Sequence, residues 1–320
     1  MTAKRVLPIR QLGELAVGAI GLGCTAMSAW YGDVDESESA KVLRQAHEYG
    51  VTLIDTADVY GPHTSEEAIG RAIHGIRDSV VLATKGGLSF ADRENYRLER
   101  DGSPEHLQQA LDASLRRLRV DHIDLYYLHR LDPNVPIEES VGFLGKQVAN
   151  GKIRAIGLSD VDIAILDRAN AVHPISAVEC ELSLWTREPL SDIVGWCERH
   201  GAGFVPYAPL GRGFLAGNVA PRATFATGDF RANNPRFTAE AIEHNMVYVK
   251  RVRAIAERHG VAPAVIALAW LLHQAGHIVP IPGMEKMAYL EENVKAARLT
   301  LSAAELEDLD TLPPAFGAAR

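Results

Sequence analysis

A chain of 320 residues, 47% hydrophobic and 23% charged, has ordinary globular composition and is long enough to bury its own core. Its net charge of −8 comes with no acidic tail and with scattered basic residues, which argues against nucleic-acid binding. The three cysteines, Cys24, Cys180 and Cys197, form neither a C-x-x-C pair nor an even disulfide framework, as expected of a reducing cytoplasm. The N-terminal MTAKRVLPIR lacks the apolar run of a signal peptide. The longest apolar stretch, at 261–272, is too short to span a bilayer and contains Pro263, so no membrane segment is expected.

In chain order, RQLGELAVGA (10–19) reads as a hairpin ahead of the first repeating unit, placed to plug a barrel floor. Short β-rich runs then recur at 19–23, 51–55, 80–85, 123–129, 153–159, 175–181, 203–209 and 278–283. They are continuously apolar rather than alternating, as strands covered on both faces are. Helical patterns with start signals lie between them. Asp35 with Glu38 and Thr64 with Glu67 have capping-box spacing, and Ser103 precedes Pro104 at a first helical position. SAAE (302–305) opens an extra helix beyond the last strand, and a long polar loop (211–239) follows the seventh. About eight strand–helix alternations predict an α/β fold, a single (β/α)₈ TIM barrel over 1–320 with an N-terminal hairpin and a C-terminal extra helix.

In such barrels the chemistry gathers at the C-terminal ends of the strands. There the sequence has Asp55, Lys85, His129 and Ser159, then Glu179, Glu181 and Tyr207, with Tyr60 shortly after Asp55. Singly, each has an ordinary explanation: a turn-capping aspartate, a solvated lysine, a hydrogen-bonded histidine. An acid, a base and an imidazole on successive strand ends, with a tyrosine alongside, point instead to one site.

LIDTADVYG (53–61), LATK (82–85) and LYYLH (125–129) resemble the aldo-keto reductases, in the order in which that family carries its Asp, Tyr, Lys and His tetrad. GKIRAIGLS, YAPLGRGFLAG and PIPGMEKMAYLEENVKA extend the resemblance over nearly the whole chain. It is greatest for the bacterial and yeast branch with pyridoxal reductase-like enzymes. The resemblance implies reduction of a small-molecule carbonyl by hydride from NADPH, with NADH as a possible substitute. Tyr60 would be the proton donor, Lys85 would favour its phenolate, Asp55 would neutralise Lys85 and His129 would orient the carbonyl; no metal is implied. Cofactor contacts carry over to Gly23, Cys24, Thr25, Asp55, Ser159, Asp160, Glu179, Tyr207, Pro209, Leu210, Gly211 and Gly213. Gly283, Met284, Lys286, Glu292 and Asn293 would hold the adenosine end, and Trp30 and His63 the substrate.

Three positions depart from the family pattern. Asp160 stands where an asparagine is usual and Glu179 where a glutamine is usual, so a carboxylate that only accepts replaces an amide at each. Two such charges would favour the oxidised, positive nicotinamide unless protonated or paired with a cation. Near the 2′-phosphate, Glu285 would oppose Lys286. A Rossmann reading fails, because GLGCTA (21–26) lacks the third glycine and GRGFLAG (211–217) lies late in the chain. A metal-dependent hydrolase would want clustered ligands, and there is no H-x-H. The rival of another class is a cofactor-binding regulatory barrel resembling the potassium-channel β subunits.

Overall fold

The computed structural model describes residues 7–25, 36–92, 97–220, 223–225 and 229–317. Strands β1 (Ile9–Leu12) and β2 (Leu15–Gly18) form the antiparallel hairpin. Seven parallel strands follow in barrel order: β3 (Leu22–Gly23), β4 (Leu53–Asp55), β5 (Val81–Gly86), β8 (Ile123–Leu128), β9 (Ile153–Ser159), β10 (Ala177–Glu181) and β11 (Gly203–Tyr207). The eighth predicted strand, 278–283, runs extended and closes the ring without being a regular strand. On one side Val279 and Ile281 donate their N–H groups to Phe204 and Pro206 of β11; on the other, Gly21 and Gly23 donate to Pro280 and Pro282. Those two prolines have no N–H to give back, so the ladder toward β3 lacks a donor at both positions.

Helices cover the outside: α1 (Glu36–Tyr49), α2 (Thr64–Ala72), α3 (Pro104–Leu118), α4 (Ile137–Ala149), α5 (Ile163–Val172), α6 (Ile193–His200), α7 (Ala239–His259), α8 (Pro263–Gln274) and α9 (Met287–Asn293). The extra helix α10 (Ala303–Asp310) begins with a complete Ser302–Glu305 capping box, and Ser103 caps α3 ahead of Pro104 as expected. At α2 the expectation fails. The cap position falls on His63 in a left-handed conformation (φ 71), and Thr64 turns its hydroxyl back to the carbonyl of Gly61. Asp35 lies outside the described residues. Among those residues no single helix is long and apolar enough to cross a membrane.

Alternation along the strands sorts side chains into two buried layers. Ile54, Leu82, Tyr126, Leu128, Ile156, Leu158, Val178 and Phe204 join the core shared with the helices. Leu53, Ala83, Leu125, Tyr127, Ala155, Ala177, Val205, Val279 and Ile281 form a second cluster with Leu12 and Val17 of the hairpin, which therefore closes the barrel floor. Gly157 leaves room for the Tyr127 ring, since a Cβ there would stand 2.3 Å from it. Two residues further along this inner face, past Leu53, Ala83, Tyr127, Gly157, Ala177 and Val205, come Asp55, Lys85, His129, Ser159, Glu179 and Tyr207. The period of two thus delivers every polar strand end to the same mouth. An antiparallel hairpin, β6 (Leu88–Asp92) with β7 (Arg97–Arg100), rises beside it.

Candidate active site

Asp55 and Lys85 end neighbouring strands, and both are almost wholly removed from solvent (2% and 0% exposed). The Lys85 ammonium donates to Asp55 Oδ1 in a short ion pair and to the Thr56 carbonyl at 2.9 Å. A second carboxyl, Glu179 Oε2, lies 3.3 Å away. The ammonium stands 5.5 Å from the centre of the Tyr60 ring and 5.4 Å from that of Tyr127. Tyr60 meets the His129 imidazole edge to face, with centroids 5.9 Å apart. Leu88, Phe90 and Leu98 of the β6–β7 hairpin join Ala57, Val59 and Tyr60 in an apolar wall.

Burial sets the charge states here. It disfavours the Lys85 cation, but Asp55 and Glu179 together outweigh that and raise its pKa, so Lys85 stays charged. Burial and the neighbouring Asp55 push Glu179 up to about 8, against the opposing pull of Lys85 and Arg130. Burial also lowers His129 well below the usual imidazole range, helped by Arg130 and Lys85, so the ring is neutral at physiological pH. For Tyr60 the expected pull of Lys85 is present but is not the largest influence. Lys85 does favour the phenolate, but burial, with Glu179 and Asp55 behind it, outweighs that and raises the phenol. Tyr60 therefore stands protonated.

A cavity of about 1340 Å³ runs from this centre across the mouth of the barrel. Its wall includes Gly23, Thr25, Asp55, Tyr60, His129, Glu179 and Tyr207 at one end, then Pro209, Leu210 and Gly213. Gly283, Lys286, Glu292 and Asn293 line it further on. Other expected contacts stand behind the wall. Cys24 and Met284 are fully buried in the hydrophobic core. Gly211 faces Trp185, which a Cβ would meet at 2.7 Å, so its glycine serves packing there. His63 bonds the Asp58 carbonyl at 2.6 Å and packs on Phe90. Trp30 lies outside the described residues. Ser159 and Asp160 are held by Arg130, which reaches Ser159 Oγ at 2.9 Å and Asp160 Oδ2 at 2.9 Å. The Tyr207 hydroxyl donates to the same Asp160 oxygen at 3.0 Å. Asp160 is thus already paired, and Glu181 is likewise tied to Arg212 at 2.9 Å.

Sequence reasoning passed over Arg130, Arg212 and Arg231, all on the cavity wall. Arg130 directly follows His129 and Arg212 lies within the glycine-rich GRG, so position alone could have flagged both. Arg231 sits in a polar loop with no comparable signal.

A family model described as the aldo/keto reductase family matches residues 19–313. The chain belongs to that family. A curated relative, probable aldo-keto reductase 1 of Glycine max, is 39% identical over 313 residues, 97% of this chain and 89% of that protein. Among solved structures, the glycerol dehydrogenase AKR11B4 of Gluconobacter oxydans aligns at a TM-score of 0.87 with 30% identity, covering 99% of this chain and 100% of that one. An aldo/keto reductase of Klebsiella pneumoniae in complex with NADP and acetate aligns at 0.73 with 27% identity, covering 98% and 97%. This aldo/keto reductase is accordingly an oxidoreductase with the family's barrel.

Its cavity suits a dinucleotide. Asn293 Nδ2 is buried without a hydrogen-bond partner on the cavity wall. At Gly213 (φ 89) a Cβ would meet nothing closer than 3.9 Å, leaving open backbone along the wall. Arg212, Arg231 and Lys286 place basic groups on the wall beyond the tetrad, the first two held in ion pairs with Glu181 and Asp229.

Proposed function

We propose that this aldo/keto reductase reduces aldehydes or activated ketones to alcohols with NADPH, Tyr60 supplying the proton. The observation that carries this reading is the buried Lys85, clamped by Asp55 and Thr56 and set 5.5 Å from the Tyr60 ring at the end of a long cavity. A bound nicotinamide would supply the hydride to the carbonyl carbon. Tyr60, protonated in its resting state, gives its proton to the carbonyl oxygen. His129, neutral and beside Tyr60, donates a hydrogen bond that orients that oxygen. Lys85 lies close enough to offset the negative charge that develops on the phenol oxygen, and Asp55 keeps the ammonium in place. Val59, Leu88 and Leu98 give the reacting end an apolar side that limits water. Run backwards, the same residues oxidise an alcohol, the direction that the name of the Gluconobacter relative suggests.

NADPH is favoured because Lys286 lines the far end of the cavity and because the Klebsiella relative is described with NADP. Glu285 shares that wall and weakens the preference. Incubation with NADPH and a panel of aldehydes tests the reading: sustained, stoichiometric oxidation of NADPH is expected. Binding of the cofactor without turnover of any aldehyde would favour a regulatory barrel resembling the channel subunits.

A further inference from the structure

Lys85 carries one positive charge but is approached by two carboxyl groups. Among the described residues, the groups that face Glu179 are Asp55 on β4, Tyr60 on the loop after it, Lys85 on β5, Tyr127 on β8 and Arg130 just beyond β8. The cations among them have closer partners: Lys85 binds Asp55, and Arg130 binds Asp160 at 2.9 Å. Glu179 is the surplus acid, 3% exposed, and its Oε2 stands 3.3 Å from the Lys85 ammonium, which Asp55 binds more closely. It also lines the cavity beside Tyr60 and His129. A fully ionised centre would bury a net negative charge, which a single proton on Glu179 removes.

We propose that Glu179 is a redox-linked proton site, holding a proton while the cofactor is reduced and releasing it when the cofactor is oxidised. This rests on the nicotinamide reading above. Hydride and proton must reach adjacent atoms of one carbonyl, so a ring that works with Tyr60 lies within the field that Glu179 exerts on Tyr60. The balance is RCHO + NADPH + Glu179–COOH → RCH₂OH + NADP⁺ + Glu179–COO⁻. The hydride pair forms the new C–H bond, the carbonyl π pair takes the proton of Tyr60, and the proton that restores Tyr60 is the one Glu179 loses. Before reaction the charges on Asp55, Lys85, Glu179 and the ring are −1, +1, 0 and 0; afterwards they are −1, +1, −1 and +1. The buried centre stays neutral throughout. With glutamine at 179 it would end at +1.

The test is calorimetric titration of NADP⁺ and of NADPH, each in buffers of different ionisation enthalpy, at about pH 7 to 8. Protonation of the 2′-phosphate is common to both forms and cancels in the difference. NADP⁺ is expected to release about half a proton or more per site beyond NADPH, and its affinity relative to NADPH to climb by up to about tenfold per pH unit. Glu179→Gln should abolish both effects. Asp160→Asn should diminish the released proton, because it frees the Arg130 cation that faces Glu179 and so favours the ionised carboxylate before any cofactor binds. Equal proton counts for the two forms in the wild type would overturn the proposal while leaving nicotinamide binding intact, whether or not the variant folds. A difference that survives Glu179→Gln would overturn it too, and failure of either form to bind would overturn the functional reading along with it.

Discussion

Lys85→Met removes one cation from a site that is sealed from water. Asp55 and Glu179, 2% and 3% exposed, are then left facing each other, and the Thr56 carbonyl loses its donor. Arg130 cannot easily replace the lysine, since it is engaged by Asp160, Ser159 and the His129 carbonyl. Stranding a buried partner of an ion pair costs about 3–5 kcal/mol. Unfolding entropy of ~2.1 cal/mol/K per residue over 320 residues makes that a fall in Tm of roughly 4–7 °C near neutral pH. The sign with pH follows from the raised folded-state pKa values of both carboxyls, which burial causes and which Lys85 now partly offsets. A raised value means that the protonated form favours the fold, with stability fully present below the unfolded-state pKa and lost as pH climbs through the folded-state one. Loss of Lys85 raises both further, so the deficit should be small at about pH 5 and largest near pH 8. Measured against Glu179→Gln alone, Lys85→Met should cost nearly as much, because Glu179 already holds a proton up to about pH 8 and Asp55 is the acid left stranded. Thermal and urea unfolding of the wild type and the single and double variants across this pH range measure all of it. A Lys85→Met protein as stable as wild type at pH 8, or one whose deficit shrinks as pH rises, would refute the charge accounting.

Gly211→Ala should destabilise the protein by about 1–3 kcal/mol, since φ is 55 and a Cβ would meet the Trp185 ring at 2.7 Å; urea unfolding reads the loss. Cys24 and Cys197 are buried and their thiols are pushed up by burial, so native protein should resist a thiol reagent that labels them readily once it is denatured. Glu285→Lys should tighten NADPH by about tenfold and leave NADH nearly unchanged, as fluorescence titrations would reveal; an equal gain for both would detach this segment from the 2′-phosphate.

What could be read from the chain was what a short-range pattern records. Continuous apolar runs marked the strands because both of their faces are covered, and Asp55, Lys85, His129 and Glu179 stood out because a strand's inner face has no other use for charge. Closure by residues 278–283 was legible in hydrophobicity, but the donors missing from its edge at Pro280 and Pro282 are not something that strand periodicity expresses. The β6–β7 hairpin went unread: LSFAD and RLER are short and half exposed, and they owe their pairing to the wall they build over Tyr60. Cys24 and Met284 turn their side chains into the core although their neighbours Gly23 and Gly283 line the cavity, because one residue of offset reverses the direction of a side chain. The pairing of Asp160 with Arg130 joins residues 30 apart, and it removes one of the two charges expected to bias the cofactor. That Lys85 favours the phenolate of Tyr60 could be expected from the sequence, but only the folded site reveals that burial outweighs it.

Tyr60→Phe bears most directly on the proton donor, because it keeps the ring that packs on His129 and removes only the hydroxyl. Single-turnover hydride transfer from NADPH to an aldehyde, followed alongside a fluorescence titration of NADPH binding, separates chemistry from affinity. The expected result is a rate lowered by about 10²–10⁴-fold with binding essentially unchanged. A variant that transfers hydride at close to the wild-type rate would show that the proton comes from elsewhere.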